Sequence, residues 1–375
     1  MSLNNKEIEE VLFYLFVVAT AIQLIYYWLI FSRTAFYKNK KKNGENLPPL
    51  SVVISARNEY HNLKRFLKDI LEQDYPDFEV LVVNDQSVDD TEFYLKSLQE
   101  EYPMLKVVNI NNPVNFFKGK KFPLSIGIKS AAHDILVLTD ADCKPASPQW
   151  LREIAAAYDE KTEIVLGYGA YMQSKGLLNL VVRFETLRTA VTYLSMALAG
   201  MPYMGVGRNL SYRKSLFYRM HGFQSHYKIP SGDDDLFVNM AATSKNTRVV
   251  ISPQAKTLSA PVASFKKWWS QKRRHLSTGA FYKKKHLIVL AVNDLSYLMF
   301  IALGVFLLLK NYNIQIIWAA ILIRYVSFLF IIKKSMIKFG ETKLLVISLL
   351  LELWLALLMP VIALTNIFYK GNKWK

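Results

Sequence analysis

The stretch LSVVISARNEYHNLKRFLKDILEQDYPDFEVLVVND, Leu50 to Asp85, decides the fold. It opens on an apolar run, LSVVIS, and closes on another, FEVLVVND. The span between carries Leu63, Phe66, Leu67, Ile70 and Leu71 at helical spacing. Two strands that are apolar nearly throughout, joined by an amphipathic helix, argue for a parallel sheet covered on both faces. The alternation continues through VDDTEFYLKSLQEEY as helix, LKVVNI as strand, KFPLSIGIKSAAH as helix and DILVLTD as strand. The fold class expected is α/β, a Rossmann-like, mostly parallel sheet.

In such sheets ligands gather beyond the carboxyl ends of the strands. The first strand exits into Arg57, Asn58 and Glu59, the second into Asn84 and Asp85, and the fourth into Asp140 and Asp142. Carboxylates brought to one crevice repel each other, and a divalent cation with oxygen ligands relieves that repulsion. Taken singly, Asp85 also suits a turn or cap before SVDDT, and Glu59 suits a helix N-terminus. The pair Asp140 and Asp142, one residue apart at the end of a buried strand, points to a bound cation. FFKGKKFPLSIGI sets Lys118, Lys120 and Lys121 beside Gly119 just before a helix, a position suited to phosphate oxygens and equally to solvent. No GxxxxGK[ST] and no GxGxxG occurs, which weakens ATPase and dinucleotide readings.

The 375 residues are 52% hydrophobic beside a net charge of +17, and the two excesses are segregated along the chain. Val11 to Phe31 contains no charge and is long enough to cross a hydrocarbon core of about 30 Å. Similar runs are Leu287 to Leu309, Ile314 to Ile332 with Arg324, and Leu344 to Tyr369 with Glu352 and Pro360. Three parts follow: an N-terminal membrane helix and basic segment over 1–47, a water-facing domain over 48–279, and about three membrane helices over 280–375. Lys38, Lys40, Lys41 and Lys42, then Lys283 to Lys285, then Lys333, Lys334, Lys338 and Lys343 place the central domain in the cytoplasm by the positive-inside rule. The lysines of the tail KGNKWK oppose four full crossings, so the side of the C-terminus stays open. A lone Cys143 excludes an internal disulfide and fits a reducing compartment.

Gly176 to Met204 is rich in Leu, Val, Met and Tyr but interrupted by Arg183, Glu185 and Arg188. Two readings stand, an interfacial helix against the bilayer and a buried core helix. SGDDDLFV sets Asp233, Asp234 and Asp235 at a helix start, where they cap it or supply a base whose pKa is raised by its neighbours. FKKWWSQKRRHLSTG, within 262–279, interleaves aromatic and cationic residues as a helix at an anionic lipid surface does. That account covers its lysines better than the spacing of Gln271 and Arg274.

Together these motifs resemble the family 2 glycosyltransferases of GT-A fold, in particular membrane-bound members similar to cellulose, hyaluronan and poly-N-acetylglucosamine synthases. The resemblance runs from about Leu50 to Gly279. It implies a GT-A domain plus transmembrane α-helices, in an integral protein of the bacterial inner membrane with its catalytic domain cytoplasmic. VVISARNE looks like the first nucleotide-binding strand, with Ala56, Asn58 and Glu59 at the nucleotide sugar. VVNDQSVDDT looks like the second, with Asp85 at the base or ribose. TDADC matches D-x-D, so Asp140 and Asp142 would hold Mg²⁺ or Mn²⁺ on the diphosphate, with Lys120 beside them. GRNLSYRK resembles an acceptor-side element around Asn209 and Arg213. GDDDL corresponds to the E-D motif, with Asp234 as base and Asp233 in the Glu position. QKRRH matches Q-x-x-R-W at Gln271 and Arg274, with His275 where the family has the acceptor-stacking Trp.

The function implied is inverting transfer of a sugar from a nucleotide-diphosphate sugar, a UDP-sugar by preference, to a lipid-linked or saccharide acceptor. His275 and the short membrane portion favour single addition over processive synthesis. Membrane lipids are expected partners and nucleic acid is not. A transport or scaffold protein with a disabled transferase domain is the rival from another class, motivated by Arg324 and Glu352. A nucleotidyltransferase is a second rival, which would need no base at GDDDL.

Overall fold

A computed structural model describes residues 4–38, 47–111 and 119–368. The lysines at 40–42, Lys118 and the tail KGNKWK lie outside them. Helix α1, Asn5–Ala35, precedes the central domain. There β1 (Leu50–Ala56), α2 (Tyr60–Leu71), β2 (Phe78–Asp85), α3 (Thr91–Glu101), β3 (Leu105–Ile110), α4 (Lys121–Ser130) and β4 (Ile135–Leu138) follow the expected alternation. Next come β5 (Cys143–Pro145), α5 (Trp150–Ala155), β6 (Ile164–Leu166), β7 (Gly169–Tyr171), α6 (Leu177–Leu198), β8 (Leu210–Arg213) and α7 (Lys214–Arg219). The domain ends with α8 (Asp235–Ala241), β9 (Thr247–Val249), β10 (Thr257–Ser259) and α9 (Phe265–Gly279). Helices α10 (Lys284–Leu309), α11 (Ile314–Phe339) and α12 (Leu345–Phe368) complete the described chain.

Seven strands form one sheet in the order β3-β2-β1-β4-β8-β6-β9, and only β8 runs against its neighbours β4 and β6. Successive residues of β1 serve opposite cores. Val52 and Ile54 pack with Leu63, Leu67 and Ile70 of α2, whereas Val53 packs with Leu124 and Ile128 of α4. Because both faces are covered, both sets of side chains are apolar, so the strand reads as a continuous hydrophobic run. Helix α4 lies so close to the sheet that a Cβ at Gly127 would stand 2.6 Å from Val53 and 2.8 Å from Val83. A second sheet, β5-β10-β7, aligns Cys143, Ser259 and Tyr171 in one row.

Helix α6 corrects the interfacial reading of residues 176–204. Fourteen of its 22 residues are buried, and it packs on β7 and β9, on the C-terminal part of α1 and on α12. The charges that interrupt it are matched inside the protein. Arg183 bonds Glu341 of the α11–α12 connection at 2.6 Å, and Glu185 pairs with Lys272 of α9. A charged residue in an apolar helix is tolerated there because its partner is buried with it.

Among the described residues four helices are long and apolar enough to cross a membrane, α1, α10, α11 and Leu345–Asn366 within α12. Arg324 and Glu352 within them form a bidentate pair at 2.6 and 2.7 Å. Tyr27 donates to Glu352 at 2.8 Å, and Gln23 accepts from Arg324 at 3.1 Å. Helix α9 lies along α12, with Trp268 stacked on Trp354 and Arg273 bonded to Asn366 at 3.2 Å.

Candidate active site

Parallel pairing of β1, β2 and β4 brings Ala56, Asp85 and Asp140 to one edge of the sheet. The D-x-D turn leaves β4 there, and the ligand atoms of Asp140, Asp142 and Cys143 lie within 4.8 Å of one another. Two carboxylate oxygens are hard donors suited to Mg²⁺ or Mn²⁺, and a cation is indeed drawn to them: the Lys120 ammonium rests on Asp140. The donor set therefore fits a divalent ion.

Lys120 reaches Asp140 because of the residue before it. Gly119 has φ +96°, and a Cβ there would stand 2.4 Å from the Pro230 carbonyl oxygen. Only glycine permits that approach, which lodges the start of α4 against the loop leading to Asp233 and Asp234. Lys120 consequently feels the charges of Asp140, Asp233 and Asp234. Burial pushes the Asp140 carboxyl up, but Lys120 outweighs it and holds the group below its ordinary pKa. Asp142 is raised, by burial and by the charge of Asp140.

Asp234 stands at the N-terminus of α8. Its Oδ2 accepts the Gly207 N–H at 2.7 Å, and its Oδ1 accepts the Asp235 N–H at 2.8 Å. Burial, then Asp233 and then Asp235, push its pKa up to about 7. The next residue after Gly207 ties this carboxylate to the D-x-D turn, since the Arg208 carbonyl accepts from Thr139 at 3.0 Å.

Arg208 itself is a site residue missed by sequence reasoning. Its guanidinium lies 4.5 Å from the centre of the Tyr171 ring, donates to Ser259 at 3.1 Å and feels the charges of Asp140 and Asp142. The one available signal was an arginine inside GVGRN. Gln271 donates to the Tyr171 hydroxyl at 2.9 Å, and Arg274 acts electrostatically on Asp140, so α9 does face the site.

Other expected positions are differently employed. Asn58, at φ 55°, accepts the Val88 N–H at 2.8 Å and ties the loop after β1 to the loop after β2. Glu59 accepts from Asn62 at the start of α2, and Asp85 is buried and accepts from Gln86 at 3.2 Å. Asn209, placed with the acceptor, is a scaffold residue. It donates to the carbonyls of Tyr168 and Ala255 at 3.0 and 2.8 Å and accepts from Trp150 at 3.1 Å. Arg213 pairs in register with Ile135, at the opposite end of β4 from Asp140, and bonds the Thr162 carbonyl and Asp134. Reversal of β8 carries it away from the acidic cluster. Lys121 turns from the site toward the carbonyls of His226 and Ile229, whereas His275, solvent-accessible on α9, is held below its ordinary pKa by partial desolvation and by the charges of Lys272, Arg274 and Arg208, which places it beside the site.

A mostly parallel sheet with acidic residues at its carboxyl edge, carried on membrane-length helices, defines a GT-A domain of the membrane-bound kind. The model of Glycosyl transferase family 2 matches residues 51–219, and the chain carries a family 2 glycosyltransferase domain. Probable glycosyltransferase YdaM of Bacillus subtilis is 28% identical over 243 residues, 62% of this chain and 56% of that protein. Beta-monoglucosyldiacylglycerol synthase of Nostoc sp. is 28% identical over 160 residues, 42% of this chain and 32% of that one. The chain thus spans about half the length, or less, of these curated relatives. Mannosyltransferase PcManGT from Pyrobaculum calidifontis, solved in complex with GDP-Man and Mn2+, shares the fold with a TM-score of 0.63 at 18% identity, over 97% of this chain and 99% of that one.

Proposed function

We propose that this chain moves one sugar from a nucleotide-diphosphate sugar, a UDP-sugar by preference, to a lipid-linked or saccharide acceptor at the bacterial inner membrane. Its catalytic domain faces the cytoplasm. The observation that carries the reading is the site of Asp234, a carboxylate with pKa about 7 held beside the D-x-D cluster. A cation site alone would serve a nucleotidyltransferase; a base poised near neutrality is what an acceptor hydroxyl needs. Relatives named as glycosyltransferases, one of them a glycolipid synthase, support the same class.

Asp234 takes the proton of the acceptor hydroxyl as that oxygen bonds to the anomeric carbon. The carbon–oxygen bond to the diphosphate breaks on the opposite face, its electron pair leaves with the nucleoside diphosphate, and the configuration inverts. Lys120, Arg208 and Arg274 hold the phosphate oxygens, and Gln271, fixed on Tyr171, helps close α9 over them. A Mg²⁺ or Mn²⁺ ion on Asp140 and Asp142 would neutralise charge on the departing group.

Processive synthesis by the same site is the second reading, and His275 in the Trp position, with less ring face to stack on a sugar, weighs against it. The inactive-transporter reading loses its motive, because Arg324 and Glu352 neutralise each other inside the helix bundle. The test is incubation of the purified chain in nanodiscs with UDP-, GDP- and dTDP-sugars, with and without Mn²⁺, and with lipid acceptors. Transfer of one sugar with inverted anomeric configuration is expected. Absence of turnover with every donor would sink the proposal.

A further inference from the structure

Asp235 follows the proposed base and is the first residue of α8, and its side-chain hydroxyl partners come from the end of α9 and the segment after it. Its buried carboxylate accepts the Leu236 N–H at 2.7 Å, the Tyr282 hydroxyl at 2.8 Å and the Thr278 hydroxyl. Thr278 lies one turn beyond Arg274 on α9, and Tyr282 sits in the elbow between α9 and the membrane helix α10. One turn along α8 the elbow is held again, where Asn239 accepts the Lys283 N–H at 3.0 Å.

We infer that Asp235 is a positioning residue that fastens the base Asp234 to the α9–α10 elbow, so that the arm bearing Gln271 and Arg274 and the basicity of Asp234 are set together. The inference rests on Asp234 being the base. Burial raises the Asp235 carboxyl, and the hydroxyls of Thr278 at the end of α9 and Tyr282 in the elbow pull it back toward the ionised form. Negative charge on Asp235, beside Asp234, disfavours a second one and makes Asp234 a stronger base. The other groups facing these two carboxylates are Asp233, the cations Lys120 and Lys121 at the start of α4, and the phenols Tyr193 of α6, Tyr203 after α6 and Tyr212 of β8. Burial raises all three phenols, so they stay neutral near pH 7 and the balance lies among lysines and aspartates. An arm that lifted away would take its two donors with it, and Asp235 would protonate more readily and weaken Asp234. Engagement of α9 and activation of the base are thereby one event.

The test compares pH profiles of kcat/KM for the wild-type chain in nanodiscs and for Asp235→Asn, Tyr282→Phe and the double variant Thr278→Val/Tyr282→Phe. Asp234 works only when ionised, so lowering its pKa moves the acid limb to lower pH. Asp235→Asn is expected to shift that limb down by about one pH unit and to lower the plateau roughly tenfold. The hydroxyl deletions shift it the same way by less, and they decide the matter should Asp235→Asn not fold. Variants that lose plateau rate with an unmoved acid limb overturn the inference and leave the transferase reading standing. A wild-type chain that turns over no donor at any pH overturns that reading, and this inference with it.

Discussion

The Asp234 carboxylate accepts the backbone N–H of Gly207 at 2.7 Å, fastening the start of α8 to the turn that enters β8. A Cβ at Gly207 would lie 3.4 Å from Asp234 Oδ2, an ordinary contact, so the backbone N–H fixes the carboxylate in place without crowding it. With its pKa about 7, Asp234 is half ionised near neutrality. Transfer by the wild-type chain should therefore rise with pH through an acid limb near 7. Asp234→Asn should lower kcat by about 10²- to 10⁴-fold while circular dichroism stays unchanged. A variant with undiminished kcat would remove Asp234 from the chemistry.

Lys120 sits on the same carboxylate that the metal reading assigns to a divalent ion. The two cations compete for Asp140 unless the diphosphate draws Lys120 aside. Lys120→Met should let Mn²⁺ bind at least about threefold more tightly without nucleotide, and should weaken UDP binding, both read by calorimetry. Asp140→Ala, or chelation of the wild type, should abolish the metal dependence of UDP affinity; a UDP affinity indifferent to both changes would exclude a metal bridge.

Asn209, just before β8, and Arg213, at the far end of that strand, separate by position. Asn209 satisfies two buried carbonyls and the Trp150 ring N–H, so Asn209→Ala should cost about 1–3 kcal/mol of stability through the groups left unpaired. Arg213→Ala, at the far end of the strand, should leave acceptor KM within about twofold of wild type. Thermal melts and acceptor titrations check the two. An acceptor KM raised tenfold in Arg213→Ala, with unchanged melting, would return that residue to the site.

The Arg324–Glu352 pair between the apolar helices should behave as a structural staple. Arg324 is fully buried, and its network includes Glu352, Tyr27, Gln23 and the face of Tyr297 at 4.2 Å. Glu352→Gln alone leaves a buried guanidinium without its counter-ion and should cost about 3–5 kcal/mol, seen as a lowered Tm in detergent. Arg324→Met/Glu352→Leu should recover most of that loss. A double variant as unstable as the single one would show that the charges do more than neutralise each other.

Local pattern alone determined the βαβ succession from Leu50 to Leu138, the membrane-length helices and the acidic residues at strand ends. Burial on both faces writes itself into β1 and β2 as unbroken apolar runs, and one-sided burial writes itself into α2 as helical spacing. Chain order could not show that β8 runs backwards between β4 and β6, because a reversed strand has the same alternation as a forward one. That reversal separates Asn209 and Arg208 from Arg213. Nor could composition tell a helix lying on lipid from α6, whose Arg183 and Glu185 meet partners 158 residues away and on α9. Charge pairing across such distances, the meeting of Gly119 with Pro230 and the convergence of Asp234 on Asp140 belong to tertiary structure. They depend on which surfaces touch once the sheet has closed, and contact between remote segments leaves no period in the sequence.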